Sequence, residues 1–196
     1  MGFDSNGMRS ALAPDDQWLD VFALVMYIPD PLGQFLDDLR RELVPGCSPH
    51  AHVSVLPPRE IPNGWEDARE QARSLLEAWP PFEIAATDVN RFPATDVIYI
   101  EVGAGAADLR RMHKSMNSNC LQCCERFDYH PHITLAQEIP DGRVAEVHDL
   151  ARQRWAEYRG PRSFTADRAV FVRNTRLNRW IDLAELTLGT VAAERR

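Results

Sequence analysis

The sequence predicts an α+β fold: bilobal, with two pseudo-symmetric lobes of mainly antiparallel sheet, helices outside and a central cleft. Three observations carry that prediction. Short apolar or alternating runs bounded by Pro, Gly and Asn are interleaved with amphipathic helical stretches. Long strands occur in pairs joined by turns, as antiparallel sheets require. The order of elements then runs twice, with the same five-residue pattern in the same slot of each half.

Taken in order, Val21 to Ile28 is an apolar, β-forming run stopped by Pro29-Asp30-Pro31. Leu32, Phe35, Leu36, Leu39 and Leu43 recur at helical spacing, so Pro31 to Leu43 is predicted to be an amphipathic helix, ended by Pro45-Gly46. His50 to Leu56 alternates and reads as a strand cut off by Pro57-Pro58. Trp65 to Trp79 places Ala68, Ala72, Leu75, Leu76 and Trp79 on one helical face. Phe82 to Phe92 and Val97 to Val102 form a strand pair around Pro93-Ala94-Thr95-Asp96. The second round follows: a helix from about Ala106 to Cys120, an alternating strand from His130 to Ala136, and a helix from Asp141 to Tyr158. Two long strands, Phe164 to Val172 and Trp180 to Leu188, close the chain around Arg173-Asn174-Thr175-Arg176. The expected organisation is a flexible tail over 1–16 and one domain over 17–196, with intertwined lobes at roughly 17–95 and 96–188.

Composition narrows the function classes. At 196 residues, 44% apolar and 26% charged, the chain has the make-up of a globular protein with its own core. Neither a membrane span nor a secretory leader is evident, so the expected compartment is the cytoplasm. Cys47 and the Cys120, Cys123, Cys124 cluster read as reduced, partly buried thiols in that setting. A net charge of −7 disfavours a partner such as long duplex nucleic acid, whose grip needs a broad cationic face. A short or terminal phosphate in a local cleft is still permitted.

The chemistry rests on His50-Ala51-His52-Val53-Ser54-Val55 and His130-Pro131-His132-Ile133-Thr134-Leu135, one H-x-H-x-[ST]-aliphatic pattern written twice. Two chance copies are expected on the order of 10⁻⁴ times per chain. Residues two apart on a strand share a face, so His52 and Ser54 present an imidazole and a hydroxyl together, as do His132 and Thr134. Val53, Val55, Ile133 and Leu135 then face the core. Displacement at phosphorus needs one proton removed from the attacking oxygen and one delivered to the leaving oxygen. Two imidazoles, each able to exist in either form near neutrality, suit that exchange. The paired hydroxyls would hold the non-bridging oxygens.

These two motifs resemble those of the two-histidine (2H) phosphoesterase superfamily. The run His132-Ile133-Thr134-Leu135-Ala136-Gln137 is most similar to its branch of 2′-5′ RNA ligases and RNA 2′,3′-cyclic phosphodiesterases. The resemblance covers about Val21 to Leu188 in element order. It implies the bilobal α+β fold, metal-free catalysis by His52 and His132 without a cofactor, and phosphate binding by Ser54 and Thr134. It also implies RNA ends or small nucleotides carrying 2′,3′-cyclic phosphate or 2′-5′ linkages as substrates, with cleavage or its reversal as ligation. Two departures stand out: Ser54 replaces the commoner Thr, and Gln137 replaces an Arg that many relatives carry, which removes a cation.

Further candidates for substrate binding are His50 and His130 at the cleft rim, Arg59 after the first motif, Tyr129 before the second, and Arg176, which clusters with Arg173 and Arg179 at the last turn. A solvated turn is the simpler reading of the last group. His113 and His148 read as surface residues on helices. Two other classes stay open: a metal-binding protein using the H-x-H pairs with the thiols, and a catalytically idle fold that only binds nucleotides.

Overall fold

The computed structural model describes residues 17–47, 50–61 and 64–189; the tail expected at 1–16 lies outside the described residues. The elements are β1 (Trp18–Tyr27), α1 (Leu32–Leu43), β2 (His52–Glu60), α2 (Trp65–Leu76), β3 (Phe82–Arg91) and β4 (Ile98–Val102). They continue with α3 (Ala106–Met116), a 3₁₀ turn at Asn119–Leu121, β5 (His132–Ala136), α4 (Val144–Glu157), β6 (Ser163–Ala166), β7 (Arg168–Thr175) and β8 (Trp180–Thr187).

The strands form two four-stranded antiparallel sheets, ordered β2-β1-β7-β8 and β5-β4-β3-β6. The α+β class and the two-sheet plan therefore agree with the sequence. Each histidine strand is the edge of its sheet, next to the strand that opens its half. Neither sheet comes from one half of the chain alone: β7 and β8 complete the first, and β3 sits inside the second. Helices are exchanged too. The α1–α4 pair packs towards β5 and β3, and the α2–α3 pair towards β2 and β8. Edge strands β2 and β5 approach to within 8 Å between Cα atoms, which brings the two histidine motifs together.

Packing explains why these segments adopt these forms. In α1, Leu32, Leu36, Leu39 and Leu43 are all buried, the stripe that the leucine spacing requires. Truncating Leu36 to Ala would cost about 2–5 kcal/mol by loss of contacts and cavity formation. Val53, Val55, Ile133 and Leu135 have no exposed area and join one continuous core spanning both sheets. Those four residues fix which face of β2 and β5 is left for the polar side chains, because a one-residue slip would expose all of them.

Two boundaries differ from the sequence reading for identifiable reasons. The first motif strand runs through Pro57-Pro58 to Glu60. Proline lacks the N–H that an interior strand must donate, but β2 is an edge, and its register with β1 shifts by one residue between Leu56 and Arg59. The predicted strand from Phe164 is in fact two. It breaks at Asp167, with β6 pairing to β3 and β7 to β1, so one extended stretch passes from sheet to sheet.

Candidate active site

The two motif segments have the same burial sequence. From Ala51 to Leu56 and from Pro131 to Ala136, buried and half-buried residues alternate and then two buried residues follow. The half-buried positions are His52 and Ser54 on β2, and His132 and Thr134 on β5. The ring positions match as well. The Nδ1–H of His52 donates to the carbonyl of His50 at 2.8 Å, and that of His132 donates to the carbonyl of His130 at 2.7 Å. A carbonyl can only accept, so each Nδ1 must carry the hydrogen. In the neutral ring this leaves Nε2 as a free base.

Each corner is held by different neighbours. His50 has a positive φ of 80°, uncommon outside glycine, so its conformation needs outside support. Helix α1 provides it: the Ala51 N–H donates to Asp37 Oδ1 at 2.6 Å, and Arg40 donates to the His50 carbonyl at 3.3 Å. Tyr27, the cross-strand partner of His52, meets its ring edge-on at 6.4 Å between centroids and donates its hydroxyl to Asp182 at 2.6 Å. At the second corner Pro131 stiffens the backbone. Glu101, the cross-strand partner of His132, binds His130 Nε2 at 2.9–3.0 Å. Phe92 and Tyr99, stacked at 4.0 Å, present themselves to the His132 ring at 5.1 and 5.4 Å.

Burial pushes the His52 imidazole down to about 4, outweighing its bond to the His50 carbonyl, and the nearby charges of Arg40 and His132 push the same way. Burial also lowers His132, with the neighbouring His130 ring pushing the same way, opposed by the His130 carbonyl bond and by the Glu101 carboxylate. At neutral pH both rings are therefore biased towards the neutral form. An entering phosphate anion would favour protonation again.

Of the other candidates, His50 and His130 flank the two rings, one against Tyr27 and one against Glu101. Tyr129 reaches the motif without facing the rings: its hydroxyl donates to the carbonyl of Ser54 at 2.7 Å. The structure does not bring Arg59 or Arg176 to the histidines. Arg59 lies seven residues along β2, roughly 23 Å from His52. Its side chain is 1% exposed and is tied to Glu125 at 2.5 Å, Asn117 and the Leu121 carbonyl. Arg176 follows the end of β7 that pairs with Trp18, whereas His52 pairs with Tyr27 at the other end of β1. Arg173 is occupied by Asp20 and the Leu19 carbonyl. His113 is a correction: it is buried, donating Nδ1–H to the Val55 carbonyl at 2.9 Å.

Tyr27, Asp37, Arg40, Glu101, Phe92 and Tyr99 shape the site without having been singled out from sequence. The available signal for Tyr27 and Glu101 was their place on the strand before each motif strand, but pairing register is not written locally. A groove of about 510 Å³ also opens beside His50; its lining includes Asp30, Asp37 and Asp38, which suits a phosphate poorly. Among the described residues no group of three or more His, Cys, Asp or Glu side chains is placed to hold a metal ion. Cys120 and Cys124 are exposed where partial burial was expected, and Cys47 and Cys123 are half-buried.

Residues 28–178 match the family described as the 2′-5′ RNA ligase superfamily. A Geobacillus kaustophilus protein provisionally named a phosphoesterase is 23% identical over 136 residues, spanning 65% of this chain and 75% of its own. The apo structure of E. coli LigT superposes with a TM-score of 0.59 at 12% identity, over 89% of this chain and 100% of that one. TT0787 of Thermus thermophilus gives 0.58 at 15% identity, over 87% and 98%. LigT has also been solved with phosphate, 3′-AMP and ATP.

Proposed function

Because this chain belongs to the 2′-5′ RNA ligase superfamily, we propose that it is a metal-independent phosphoesterase acting on 2′,3′-cyclic phosphate or 2′-5′ linkages of RNA ends or small nucleotides. The observation that carries this reading is the matched pair of rings: each Nδ1–H is committed to a carbonyl two residues back, leaving two Nε2 atoms as the proton-exchanging groups of one cleft. In hydrolysis the neutral ring takes a proton from water as its oxygen bonds to phosphorus. The protonated ring gives its proton to the ribose oxygen as the P–O bond opens. Ser54 and Thr134 donate to the non-bridging oxygens and hold the phosphorus between the rings. With a 5′-hydroxyl in water's place as the attacking oxygen, one ring takes its proton as the new P–O bond forms, the other protonates the 3′ oxygen as the P–O3′ bond of the cyclic phosphate breaks, and a 2′-5′ bond is left.

The small-nucleotide scale is supported by the ligands of LigT and by the charge of −7, which works against long duplex partners. No helix among the described residues is long and apolar enough to cross a membrane. A chain long enough to bury a core without disulfides fits a reducing compartment, and the cytoplasm is the location we propose.

The test is turnover of a nucleoside 2′,3′-cyclic phosphate in excess EDTA. Activity that survives the chelator supports the reading. Activity that vanishes and returns only with added divalent metal overturns it in favour of the H-x-H pairs as ligands.

A further inference from the structure

The two motif strands are joined by a contact that the motifs themselves do not supply. The Ser54 carbonyl on the outer edge of β2 accepts the Tyr129 hydroxyl at 2.7 Å, and Tyr129 stands three residues before His132. The Tyr129 ring lies flat on His113, 3.9 Å between centroids and 4° between planes. His113 in turn donates Nδ1–H to the next carbonyl of β2, Val55, at 2.9 Å, and its Nε2 lies 3.3 Å from Glu125. Glu125 closes the loop by pairing with Arg59, which is itself a β2 residue. One edge of β2 is thus tied, from Ser54 to Arg59, to the segment that delivers His130 and His132.

We propose that Tyr129 and His113 are positioning residues that set the distance between Ser54 and the second histidine corner. This rests on the phosphoesterase reading above. An edge strand has one row of carbonyls with no sheet partner, and without a clamp β2 is free to shift away from β5 by fractions of an ångström. Reaction between two oriented groups loses rate steeply with such shifts. The hydroxyl of Tyr129 is the short link, since only Tyr129, His130 and Pro131 intervene between the Ser54 carbonyl and His132. The His113 ring backs it, and the buried Arg59–Glu125 pair holds the far end of the strand.

The experiment is a double-mutant cycle of Tyr129→Phe with Ser54→Ala, read as kcat and KM on a nucleoside 2′,3′-cyclic phosphate. Tyr129→Phe keeps the ring on His113 and removes only the link to Ser54. The expected result is a kcat about 10-fold lower with KM within about 2-fold. In the Ser54→Ala background the same change should cost less than about 2-fold, because the group it positions is gone. An unchanged kcat, or a KM rise that adds to that of Ser54→Ala, overturns the proposal; the second pattern would make Tyr129 a substrate contact. His113→Phe, which keeps a stacked ring but drops the Val55 and Glu125 links, should lower kcat with a lower Tm. If the wild type turns over no phosphodiester, the phosphoesterase reading fails, and the clamp is decided by the His132 imidazole Cε1–H NMR shift. A shift that moves in Tyr129→Phe sustains the clamp, and an unchanged one sinks it.

Discussion

The corner at 50–52 and the corner at 130–132 fix their imidazoles by one device and differ in how deeply each ring is buried and in the charges packed alongside. In both, Nδ1–H reaches back to the carbonyl two residues earlier, at 2.8 and 2.7 Å. The first corner is then braced by Arg40 on the His50 carbonyl and Asp37 on the Ala51 N–H, and the second by Glu101 on the His130 ring. Arg40 opposes and Asp37 favours a proton on His52, while His130 opposes and Glu101 favours one on His132. Ring geometry is thus local, a property of H-x-H on a strand edge, and charge comes from whichever element packs alongside. A symmetric pair of rings is given unequal proton affinities, which suits the acid and base roles proposed above.

The coarsest way to break the comparison is to remove one ring at a time. His52→Ala and His132→Ala should each lower kcat/KM on a cyclic nucleotide by at least ~10²-fold. His52→Ala should also lose the acid limb of the pH profile, and His132→Ala the alkaline limb. Loss of the same limb in both variants would mean that the two corners are not differentiated. Ser54→Ala and Thr134→Ala come next, at roughly 10-fold to 10²-fold in kcat, since in the proposed mechanism each removes one donor to the developing charge on phosphate oxygens. The two hydroxyls sit at matching positions of matching strands, so costs differing by more than ~10-fold would show that the phosphate is held mainly by one wall.

What the sequence made legible follows the same division between local and neighbouring effects. The two motif strands, the shared face of His52 with Ser54 and of His132 with Thr134, and the α1 stripe all follow from periods of 2 and 3.6 that act within a few residues. The passage of β2 through Pro57-Pro58 depends on its being an edge, which is a fact about the sheet. The break at Asp167 leaves no sign in a stretch that stays β-forming on both sides. His113 looked like a surface residue because its partners, Val55 and Tyr129, are distant in sequence, and Arg59 looked free because Glu125 is 66 positions away. The braces of each corner, Arg40 and Glu101, were hidden for the same reason.

Those braces give the sharper test. Glu101→Gln removes the charge that favours a proton on His132, so its pKa should fall and the alkaline limb should move to lower pH. Arg40→Met removes a charge that opposes a proton on His52, so its pKa should rise and the acid limb should move to higher pH. Both changes narrow the optimum, from opposite sides, with only a several-fold loss at the optimum itself. Imidazole Cε1–H shifts followed by NMR through the titration report the same two movements without substrate. Limbs that move in the same direction would show that the corners feel one common field.

The smallest effect is on stability, and its sign follows from burial. The folded His52 binds a proton only near pH 4, whereas in the unfolded chain it does so near its ordinary value of 6.5. As pH falls below 6.5 the unfolded state takes up the proton first, so stability drops, and it stops dropping on this account below about 4. His132 is shifted in the same direction and adds to the slope. Asp167, Glu146 and Glu157 are held below their usual range by Arg168, by Arg143, and by Gln153 with Arg154, and they too lose stability on acidification. Carboxylates act mainly below about pH 4.5, so the interval from 6.5 to 4.5 belongs largely to the imidazoles. Wild-type Tm should decline by a few degrees across it, and His52→Ala should flatten that decline more than His132→Ala, which keeps the more strongly desolvated ring. An unaltered slope in His52→Ala would mean that its ring is not desolvated in the folded protein, and the unequal proton affinities of the two corners would lose their basis.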